Sequence, residues 1–466
     1  KVMDDLTKLS KDQLIHFVGI GGIGLSAIAE LCRERGYSVQ GSDISENDMT
    51  KRLRENNISV FIGHNSKNIK KKVQLIVHSS AIKDDNPELI AAKKANIPIT
   101  SRADILAQLM ESRKCVCVSG THGKTTTTSM ISWVLSQGPL KPTSIIGGID
   151  SHTQSNLQIG SSDWMVVEAD ESDKTFVKLP SKISVITNID YDHLENYGSI
   201  EKLEASFIKY AVNTQRDGYI IFCADDYITS KISKDFPSGI LISYGQSDNA
   251  TLKIRDIYND VGSYKFTIDG EINQKHFNIQ ITINRPGMYN IYNATAAAIV
   301  GILRNVPNEI IQSSLLSYSG VYRRFSEITH KNGITYYDDY AHHPTEINQL
   351  LSSAKNLSSG RVISIFQPHR YSRILSLYKE FCAAFSDTNY LALLPVYGAG
   401  EIENSEIDYN KFISDINIKS KIDAQFIKNT EDLSKFIKTL AEPGDLVLFI
   451  GAGDINIISN EICLKL

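Results

Sequence analysis

The stretch "LIHFVGIGGIGLSAIAE", Leu14–Glu30, joins an apolar run to a glycine-rich turn and an amphipathic segment. Gly19, Gly21 and Gly24 follow the spacing G-x-G-x-x-G, and Asp43 comes about twenty residues further on. This pattern predicts a strand, a tight turn and a helix whose N-terminus can hold a pyrophosphate. Taken alone, it leaves open a dinucleotide, another nucleotide diphosphate, or a strand–turn–helix that binds no ligand.

Apolar runs alternate with helical patterns on both sides of this stretch. Residues 12–106 read as a parallel α/β sheet, and a second α/β block begins at "KCVCVSG" and continues through "WMVVEAD" and "KISVITNID". Ligands of open α/β sheets bind beyond the carboxyl ends of strands, which places Asp170, Asn188 and Asp190 where chemistry is expected.

The pattern changes between about 240 and 285. There "YKFTIDGEINQKHFNIQITIN" alternates apolar and polar residues, which predicts a hairpin that turns at Asp269–Gly270. A third α/β block begins near Arg323.

Composition narrows the class of protein. The chain has 466 residues, 42% of them hydrophobic and 22% charged, with a net charge of -4, which is typical of a globular protein of two to four domains. This charge argues against a nucleic-acid partner, and no apolar run reaches the about 18 residues that span a membrane. Six scattered cysteines without a C-x-x-C pair predict reduced thiols and a cytoplasmic location.

A second glycine-rich loop, "VSGTHGKTTTT", lies between an apolar strand and a helical segment. Its core is Gly120-x-x-Gly123-Lys124-Thr125, which is shorter than the strict P-loop but carries the same parts. Backbone amides can hold phosphate oxygens, Lys124 can neutralise phosphate charge, and a threonine hydroxyl can reach Mg²⁺. A dehydrogenase needs no such loop, so the presence of two phosphate loops argues against NAD.

Polar residues follow the next two strands of the second block. "VVEADESD" contains Glu168, Asp170, Glu171 and Asp173, and clustered carboxylates beside a phosphate loop suit Mg²⁺. "NIDYDH" adds Asp192 and His193 after another buried strand. A solvated acidic turn and a structural histidine are the alternative interpretations.

The third block also carries charged residues near strand ends, in "GVYRRF", "YYDDYAHHPTE" and "FQPHRYSR". Arginines can bind carboxylates or phosphates through two parallel hydrogen bonds. The pair His342–His343, followed by Pro344, predicts a fixed site at a helix start. The alternative is that these charged residues form surface ion pairs that contribute little to stability.

Six motifs, in chain order, carry a resemblance to a known family: "GTHGKTTTT", "EADESD", "NIDYDH", "RRF", "DDYAHHPTE" and "FQPHRYSR". With "GIGGIG" near the N-terminus they resemble the Mur ligases of peptidoglycan synthesis over nearly the whole chain. The "GIGGIG" and "DDYAHHPTEI" forms are most similar to the branch that adds L-alanine.

The resemblance implies an α/β protein of three domains. These are a Rossmann-like UDP-sugar-binding domain (1–106), a central P-loop ATPase-type α/β domain that binds ATP (107–320), and a Rossmann-like C-terminal α/β domain (321–466) that closes over both and helps bind the amino acid. The implied enzyme is an ATP-dependent ligase that joins L-alanine to the lactyl carboxylate of UDP-N-acetylmuramate through an acyl phosphate. The first glycine loop would then hold the pyrophosphate of the sugar nucleotide, not NAD. A monomer or weak homodimer with ATP and two Mg²⁺ ions is expected.

The resemblance also implies roles for individual residues. The expected catalytic residues are Lys124, His122, Glu168 and His193, and the expected metal ligands are Thr125, Glu168 and His193. The expected ATP-binding residues are Gly120, Gly123, Lys124, Thr125, Thr126, Asn290, Asn293, Arg324 and Asp339. The expected UDP-sugar-binding residues are Gly19, Gly21, Gly22, Gly24, Asp43, His64, Ser79, Ser80 and Ser172. The expected amino-acid-binding residues are Tyr340, His342, Arg370 and Arg373.

Two residues depart from the family pattern. Tyr289 stands in "PGMYN" where relatives usually have histidine, and an aromatic ring can still stack on adenine. Asp190 stands where relatives usually have glutamate, which keeps the charge and shortens the reach.

Three other functions compete with this interpretation. A recycling ligase of the same family would attach a preformed tripeptide to the same sugar nucleotide. An NAD-dependent oxidoreductase would use "GIGGIG" but leaves Lys124 and Glu168 unexplained. A non-enzymatic nucleotide switch would hydrolyse ATP or GTP slowly and ignore the sugar nucleotide.

Overall fold

The computed structural model describes residues 6, 9–10, 13–172, 174–191, 194–238 and 240–465. The chain divides into two compact units. Unit 1 comprises Lys1–Arg255, Thr267–Ile279 and Tyr292–Leu315, and unit 2 comprises Asp256–Phe266, Gln280–Ile291 and Leu316–Leu466.

The first part of unit 1 alternates strands and helices. Its elements are β1 Leu14–Val18, α1 Ile23–Glu34, β2 Ser38–Asp43, α2 Asp48–Glu55, β3 Ser59–Ile62, β4 Val73–His78, α3 Pro87–Lys94, β5 Ile99–Ser101 and α4 Arg102–Met110. The five strands form a parallel sheet in the order β3-β2-β1-β4-β5. Strand β1 is central, and the full burial of Ile15, Phe17 and Val18 explains its continuous apolar run. The predicted Rossmann-like N-terminal fold is confirmed.

A second series of elements builds a larger sheet. They are β6 Lys114–Ser119, α5 Lys124–Gln137, β7 Thr143–Asp150, β8 Ser155–Gln158, β9 Trp164–Glu168, β10 Ser181–Ile186, α6 Leu194–Tyr197, α7 Ile200–Val212, β11 Thr214–Cys223, α8 Tyr227–Ile232, β12 Leu241–Gly245, β13 Leu252–Asp260, β14 Ser263–Ile272, β15 Lys275–Ile283, α9 Met288–Leu303 and α10 Asn308–Leu316. The ten strands have the order β15-β14-β13-β12-β11-β10-β6-β9-β7-β8. Strand β6 lies between β9 and β10 and is parallel to both. The loops that follow β9, β6 and β10 therefore leave the same edge of the sheet side by side.

Unit 2 contains the C-terminal α/β elements. They are β16 Ser326–Lys331, β17 Ile334–Asp339, α11 Pro344–Leu357, β18 Val362–Phe366, α12 Tyr371–Ser376, α13 Tyr378–Ala383, β19 Tyr390–Leu393, α14 Tyr409–Ser420, β20 Asp423–Phe426, α15 Thr430–Leu440, β21 Leu446–Ile450 and α16 Ile455–Lys465. The sheet order is β16-β17-β21-β18-β19-β20, and every neighbouring pair except β16–β17 is parallel.

The predicted helix start after the histidine pair is confirmed. Helix α11 begins at Pro344, and His343 is its N-cap in a reciprocal capping arrangement with Glu346. None of the helices in the described ranges has the length and apolar character that crossing a membrane would need.

The predicted turn at Asp269–Gly270 is wrong. Both residues lie inside β14, and β14 and β15 are joined by Asn273 and Gln274, which have φ angles of +51° and +64°. A Cβ at Gly270 would overlap the backbone oxygen of Thr251, so this glycine serves a close approach between strands. The glycine of this Asp-Gly pair is therefore needed for strand packing and not for a turn.

Replacing Gln274 by glycine is expected to raise the free energy of unfolding by about 0.5–1 kcal/mol, because glycine adopts the left-handed conformation without strain. Urea unfolding of Gln274→Gly and the wild type measures the difference. Gly270→Ala is the comparison variant and should destabilise, because its new methyl group meets the backbone of Thr251. Stabilisation by Gly270→Ala would contradict the close approach to Thr251, and destabilisation by Gln274→Gly would contradict the observed turn position.

Candidate active site

The second glycine loop leaves β6 and enters α5 with a backbone that requires glycine. Gly120 has φ +137°, and a Cβ there would overlap the Thr187 hydroxyl. Gly123 is the N-cap of α5 with φ +79°, and a Cβ there would lie 2.8 Å from Asn293 Oδ1. Both predicted phosphate-loop glycines therefore lie in positions that a larger residue cannot occupy without distortion.

Asn188, just beyond β10, holds this loop in place. Its backbone oxygen accepts from Thr121 N at 2.9 Å, and its Oδ1 accepts from His122 N at 2.8 Å. Its Nδ2 in turn donates to the His122 carbonyl at 2.9 Å. The backbone amides of Thr121 and His122 are thus held in fixed positions, which would reduce the reorganisation that binding of a phosphate requires.

His122 faces Asp190 across the same pair of loops. His122 Nε2 lies 3.2 Å from Asp190 Oδ2, and Asp190 N donates to the Thr121 hydroxyl at 2.8 Å. The shorter carboxylate at position 190 therefore still reaches the glycine loop.

Lys124, the first residue of α5, folds back over the loop. Its Nζ donates to the Gly120 carbonyl at 2.7 Å and lies 2.8 Å from Glu171 Oε2. Burial alone would lower the pKa of Lys124, but the carboxylates of Glu171, Asp170 and Glu168 raise it well above its usual range. Lys124 therefore carries a positive charge at neutral pH. The pairing with Glu171 was not predicted, although both residues stood in recognised motifs.

Glu168 ends β9 and points to the start of α5. Its Oε1 accepts from the Thr125 hydroxyl at 3.1 Å, and its Oε2 accepts from Gly147 N at 2.8 Å. A Cβ at Gly147 would overlap this carboxylate, so Gly147 makes room for it. Sequence reasoning missed Gly147, although a glycine inside a strand often marks such a close approach.

Asp170 lies between two cations. Its Oδ1 accepts from Ser172 N at 3.0 Å, and its Oδ2 lies 3.4 Å from Arg102 Nη2. Burial alone would raise the pKa of Asp170, but the ammonium of Lys124 and the guanidinium of Arg102 lower it to about 2. Ser172, predicted for the sugar nucleotide, therefore lies in the same turn as the acidic cluster.

The first glycine loop is held from the ends of β2 and β4. Gly21 N donates to Asp43 Oδ2 at 2.8 Å, and Gly22 is the N-cap of α1. Gly19 has φ +82°, and a Cβ there would lie 3.0 Å from the Ser79 hydroxyl. Asp43 and Ser79 thus lie beside the loop, whereas Ser80 is an exposed residue after β4.

His64 belongs to a buried polar cluster below this loop. Its Nδ1 lies 3.1 Å from the Ser42 hydroxyl and 3.2 Å from Glu88 Oε2. Glu88 is fully buried and also accepts from Ser42 Oγ at 2.5 Å and Asn68 Nδ2 at 2.6 Å. Burial alone would raise the pKa of Glu88, but the neighbouring His16 imidazole and hydrogen bonds from Ser42 and Asn68 lower it to about 2.

Glu88→Gln is expected to lower the free energy of unfolding by about 3 kcal/mol at neutral pH, because a depressed carboxyl pKa stabilises the folded state. The stabilisation is present above the unfolded pKa near 4.5 and is lost as the pH falls toward about 2. The difference between variant and wild type should therefore shrink across this window. Urea unfolding at several pH values measures it, and a difference that stays constant with pH would contradict the ionised state of Glu88.

In unit 2, Asp339 ends β17 and holds the segment that carries Arg324. Its two carboxylate oxygens each accept at 2.7 Å, from Phe325 N and from Ala341 N. Burial raises the pKa of Asp339 to about 7, against the opposing charge of Arg324. Arg323 and Phe325 have φ angles of +60° and +48°, a strained backbone of the kind that clusters at functional sites.

Three of the four predicted amino-acid-binding residues form one aromatic and basic group in unit 2. Arg324 lies 5.1 Å over the Tyr340 ring, and the rings of Tyr340 and His342 are 5.5 Å apart. His369 continues the group, 6.0 Å from His342, and its Nδ1 lies 3.1 Å from Arg373 Nη1. Burial and the neighbouring positive charges lower the pKa of His369 to about 3, so it is neutral.

Arg370, the fourth of these residues, is exposed and has φ +71°. Its backbone N donates to the Tyr397 carbonyl at 2.8 Å.

The remaining predicted residues lie on α5 and α9. Thr126 lies half-buried on α5, Asn293 Oδ1 accepts from the Thr127 hydroxyl at 3.0 Å, and Asn290 Nδ2 donates to the Pro286 carbonyl at 2.7 Å. The ring of Tyr289 lies against Gly287, where a Cβ would meet it at 2.5 Å. His193 and Asp192 lie outside the described residues.

Three family models match successive parts of the chain. The Mur ligase family catalytic domain matches residues 14–114, the Mur ligase middle domain matches 118–301, and the Mur ligase glutamate ligase domain matches 323–453.

Relatives and solved structures agree with this match. The UDP-N-acetylmuramate–L-alanine ligases of Methylorubrum extorquens and Brucella anthropi are each 41% identical to the chain, over 95% of both sequences in each comparison. The crystal structure of UDP-N-acetylmuramate-alanine ligase from Thermotoga maritima superposes with a TM-score of 0.82 at 31% identity, covering 97% of this chain and 98% of that one. A murein peptide ligase from Psychrobacter arcticus, 21% identical with a TM-score of 0.73, shares the fold. This chain belongs to the Mur ligase family.

Proposed function

We propose that this chain is an ATP-dependent ligase that joins L-alanine to the lactyl carboxylate of UDP-N-acetylmuramate in peptidoglycan precursor synthesis. The observation that carries the proposal is the presence in one unit of two glycine loops, each entering a helix N-terminus. The second of them holds a half-buried cationic lysine beside three carboxylates. The two close relatives described above carry the name of this reaction.

The reaction has two steps. The lactyl carboxylate attacks the γ-phosphorus of ATP, ADP leaves, and an acyl phosphate forms. The amine of L-alanine then attacks the acyl carbon, loses a proton, and displaces inorganic phosphate. The first step brings two anions together, so catalysis depends on positioning and charge neutralisation.

Unit 1 supplies the groups for phosphate transfer. Lys124 neutralises the β- and γ-phosphates, and the fixed amides of Gly120–Gly123 bind phosphate oxygens. His122, whose backbone amide is fixed by Asn188, stands at the reacting end of the loop.

Mg²⁺ fits the donors at the start of α5. The Glu168 carboxylate and the Thr125 hydroxyl lie within 3.1 Å of one another, and both are hard oxygen donors. When bound, Mg²⁺ neutralises phosphate charge. We assign Thr125 and Glu168 to one ion, and Glu168 with His193 to a second.

We assign the sugar nucleotide, the adenine of ATP and L-alanine to separate sets of residues. The sugar nucleotide binds at Gly19–Gly24 with Asp43, His64, Ser79, Ser80 and Ser172. We assign Asn290 and Asn293 to adenine, and Arg324 and Asp339 to the nucleotide. Tyr340, His342, Arg370 and Arg373 bind L-alanine, where an arginine pairs with the amino-acid carboxylate. The domain boundaries that correspond to these roles are 1–106, 107–320 and 321–466.

We place the reaction in the cytoplasm, where ATP is available and where the six buried free thiols stay reduced. A monomer or weak homodimer is proposed as the working form.

The test is phosphate release from ATP and Mg²⁺ with UDP-N-acetylmuramate, with and without L-alanine. Release that requires both substrates supports the proposal. Release with L-alanyl-γ-D-glutamyl-diaminopimelate in place of L-alanine would assign the protein to the recycling branch. Release that ignores the sugar nucleotide would contradict the role of the first glycine loop.

A further inference from the structure

Arg102, the first residue of α4, lies between the two loops that unit 1 brings together. Its Nη1 would lie 2.5 Å from a Cβ built on Gly24, and its Nη2 lies 3.4 Å from Asp170 Oδ2. The guanidinium side chain is 25% exposed, so it is partly open to a ligand. One side chain therefore contacts both the first glycine loop and the acidic loop after β9.

Gly24 is the third glycine of the G-x-G-x-x-G pattern, which usually serves close packing of helix against strand. In this chain the three heavy atoms nearest to a Cβ at Gly24 all belong to Arg102, at 2.5, 3.5 and 3.6 Å. The absence of a side chain at position 24 therefore leaves room for an arginine.

The position of Arg102 beside the start of α1 requires an anion. A helix N-terminus carries a partial positive charge, so a guanidinium placed there is unfavourable unless a negative group lies between or beside them. Asp170 provides this negative group in the free protein. The pyrophosphate of a sugar nucleotide at the first glycine loop would provide another, in a form that a guanidinium binds through two parallel hydrogen bonds.

The loop cannot easily move away from Arg102, because α1 is fastened to the larger sheet. Asn156 Nδ2 donates to the Ile23 carbonyl at 2.5 Å and to Ser26 Oγ at 3.1 Å. Arg52 reaches the same strand β8, donating to Asn156 Oδ1 at 3.3 Å and to Ser155 Oγ at 2.5 Å.

We propose that Arg102 is a positioning residue that binds the pyrophosphate of the sugar nucleotide, and that Gly24 is required because Arg102 occupies the space of its side chain. This inference rests on the proposed function. Arg102 takes no part in phosphate transfer, so its loss weakens sugar-nucleotide binding more than it affects ATP.

The experiment measures binding by calorimetry, with UDP-N-acetylmuramate and with UDP-N-acetylglucosamine, which has the pyrophosphate but no lactyl carboxylate. Arg102→Ala should lower the affinity for both ligands by about ten- to a hundredfold, as expected for a lost charge-assisted hydrogen bond. Arg102→Lys should restore part of the affinity. In steady-state assays, the KM for the sugar nucleotide should rise while the KM for ATP changes less than about twofold.

A double-mutant cycle tests the link to Gly24. Gly24→Ala should weaken binding about as much as Arg102→Ala, and the double variant should be no weaker than either single variant. Lys178→Ala is the matched control, because Lys178 Nζ also pairs with α4, at 2.8 Å from Asp104 Oδ1, but at an exposed position. It should change binding less than about twofold.

The outcomes separate the two proposals. If the wild type binds the ligands and Arg102→Ala binds equally well, the role of Arg102 is refuted and the proposed function stands. If the effects of Gly24→Ala and Arg102→Ala multiply in the double variant, the two residues act independently and the proposed reason for Gly24 is refuted. Weakening confined to UDP-N-acetylmuramate would refute the pyrophosphate as the bound group. If the wild type binds neither ligand, the proposed function itself fails and Arg102 has no sugar nucleotide to position.

Discussion

Replacing Lys124 by methionine is expected to lower kcat for phosphate release by about a thousandfold or more. Methionine keeps most of the side-chain length and removes the charge. The ammonium of Lys124 is the cation that three neighbouring carboxylates hold over the second glycine loop. Without it, the attacking carboxylate and the γ-phosphate repel each other with no compensating charge from this side chain. The measurement is the steady-state rate of phosphate release with all three substrates saturating.

Loss of folding has to be separated from loss of chemistry in this variant. Lys124→Met leaves Glu171, which is 2% exposed, without its ammonium partner. The free energy of unfolding should therefore fall, since a single unpaired buried charge is costly. The double variant Lys124→Met/Glu171→Gln should recover stability but not activity. A double variant that recovers activity to within about tenfold of the wild type would contradict the catalytic role of Lys124.

Gly147→Ala is expected to lower kcat by about a hundredfold and to raise the Mg²⁺ concentration needed for half-maximal rate. The new methyl group would overlap the Glu168 carboxylate, with Cδ at 2.6 Å, and would push it from its place beside Thr125. Gly147 would thus affect the proposed metal site without being a ligand. The measurement is a Mg²⁺ titration of the rate for the wild type, Gly147→Ala and Glu168→Gln.

The control for this substitution is Ile146→Val, in the same strand and 2% exposed. It should cost about 1 kcal/mol of stability and leave the Mg²⁺ dependence unchanged. The effects of Gly147→Ala and Glu168→Gln should not multiply when combined, because both act on one carboxylate. A Gly147→Ala variant with the wild-type Mg²⁺ dependence would show that Glu168 is not held as described.

The local part of the fold could be predicted from the sequence because it depends on short-range patterns. The apolar run of β1, the two glycine loops and the histidine–proline start of α11 each follow from residues within a few positions of one another. The Asp269–Gly270 signal failed for a related reason. Gly270 is needed because the backbone of Thr251 passes close to it, and a local sequence pattern does not reveal that contact.

The contacts that complete the candidate site join residues far apart in the chain. Gly147 with Glu168, Lys124 with Glu171 and Arg102 with Asp170 are separated by 21, 47 and 68 positions. They arise because β9 lies between β6 and β7 and because α4 meets the acidic loop. Sequence spacing alone does not determine such neighbours, although the residue types already indicated phosphate and metal chemistry.

The most direct test of the central claim uses UDP-N-acetylmuramate labelled with oxygen-18 in its lactyl carboxylate. Turnover with ATP, Mg²⁺ and L-alanine should transfer one labelled oxygen to the inorganic phosphate, because the carboxylate oxygen that attacks the γ-phosphorus leaves with it. Mass spectrometry of the released phosphate measures this transfer. Unlabelled phosphate, released while the amide product forms, would contradict activation through an acyl phosphate.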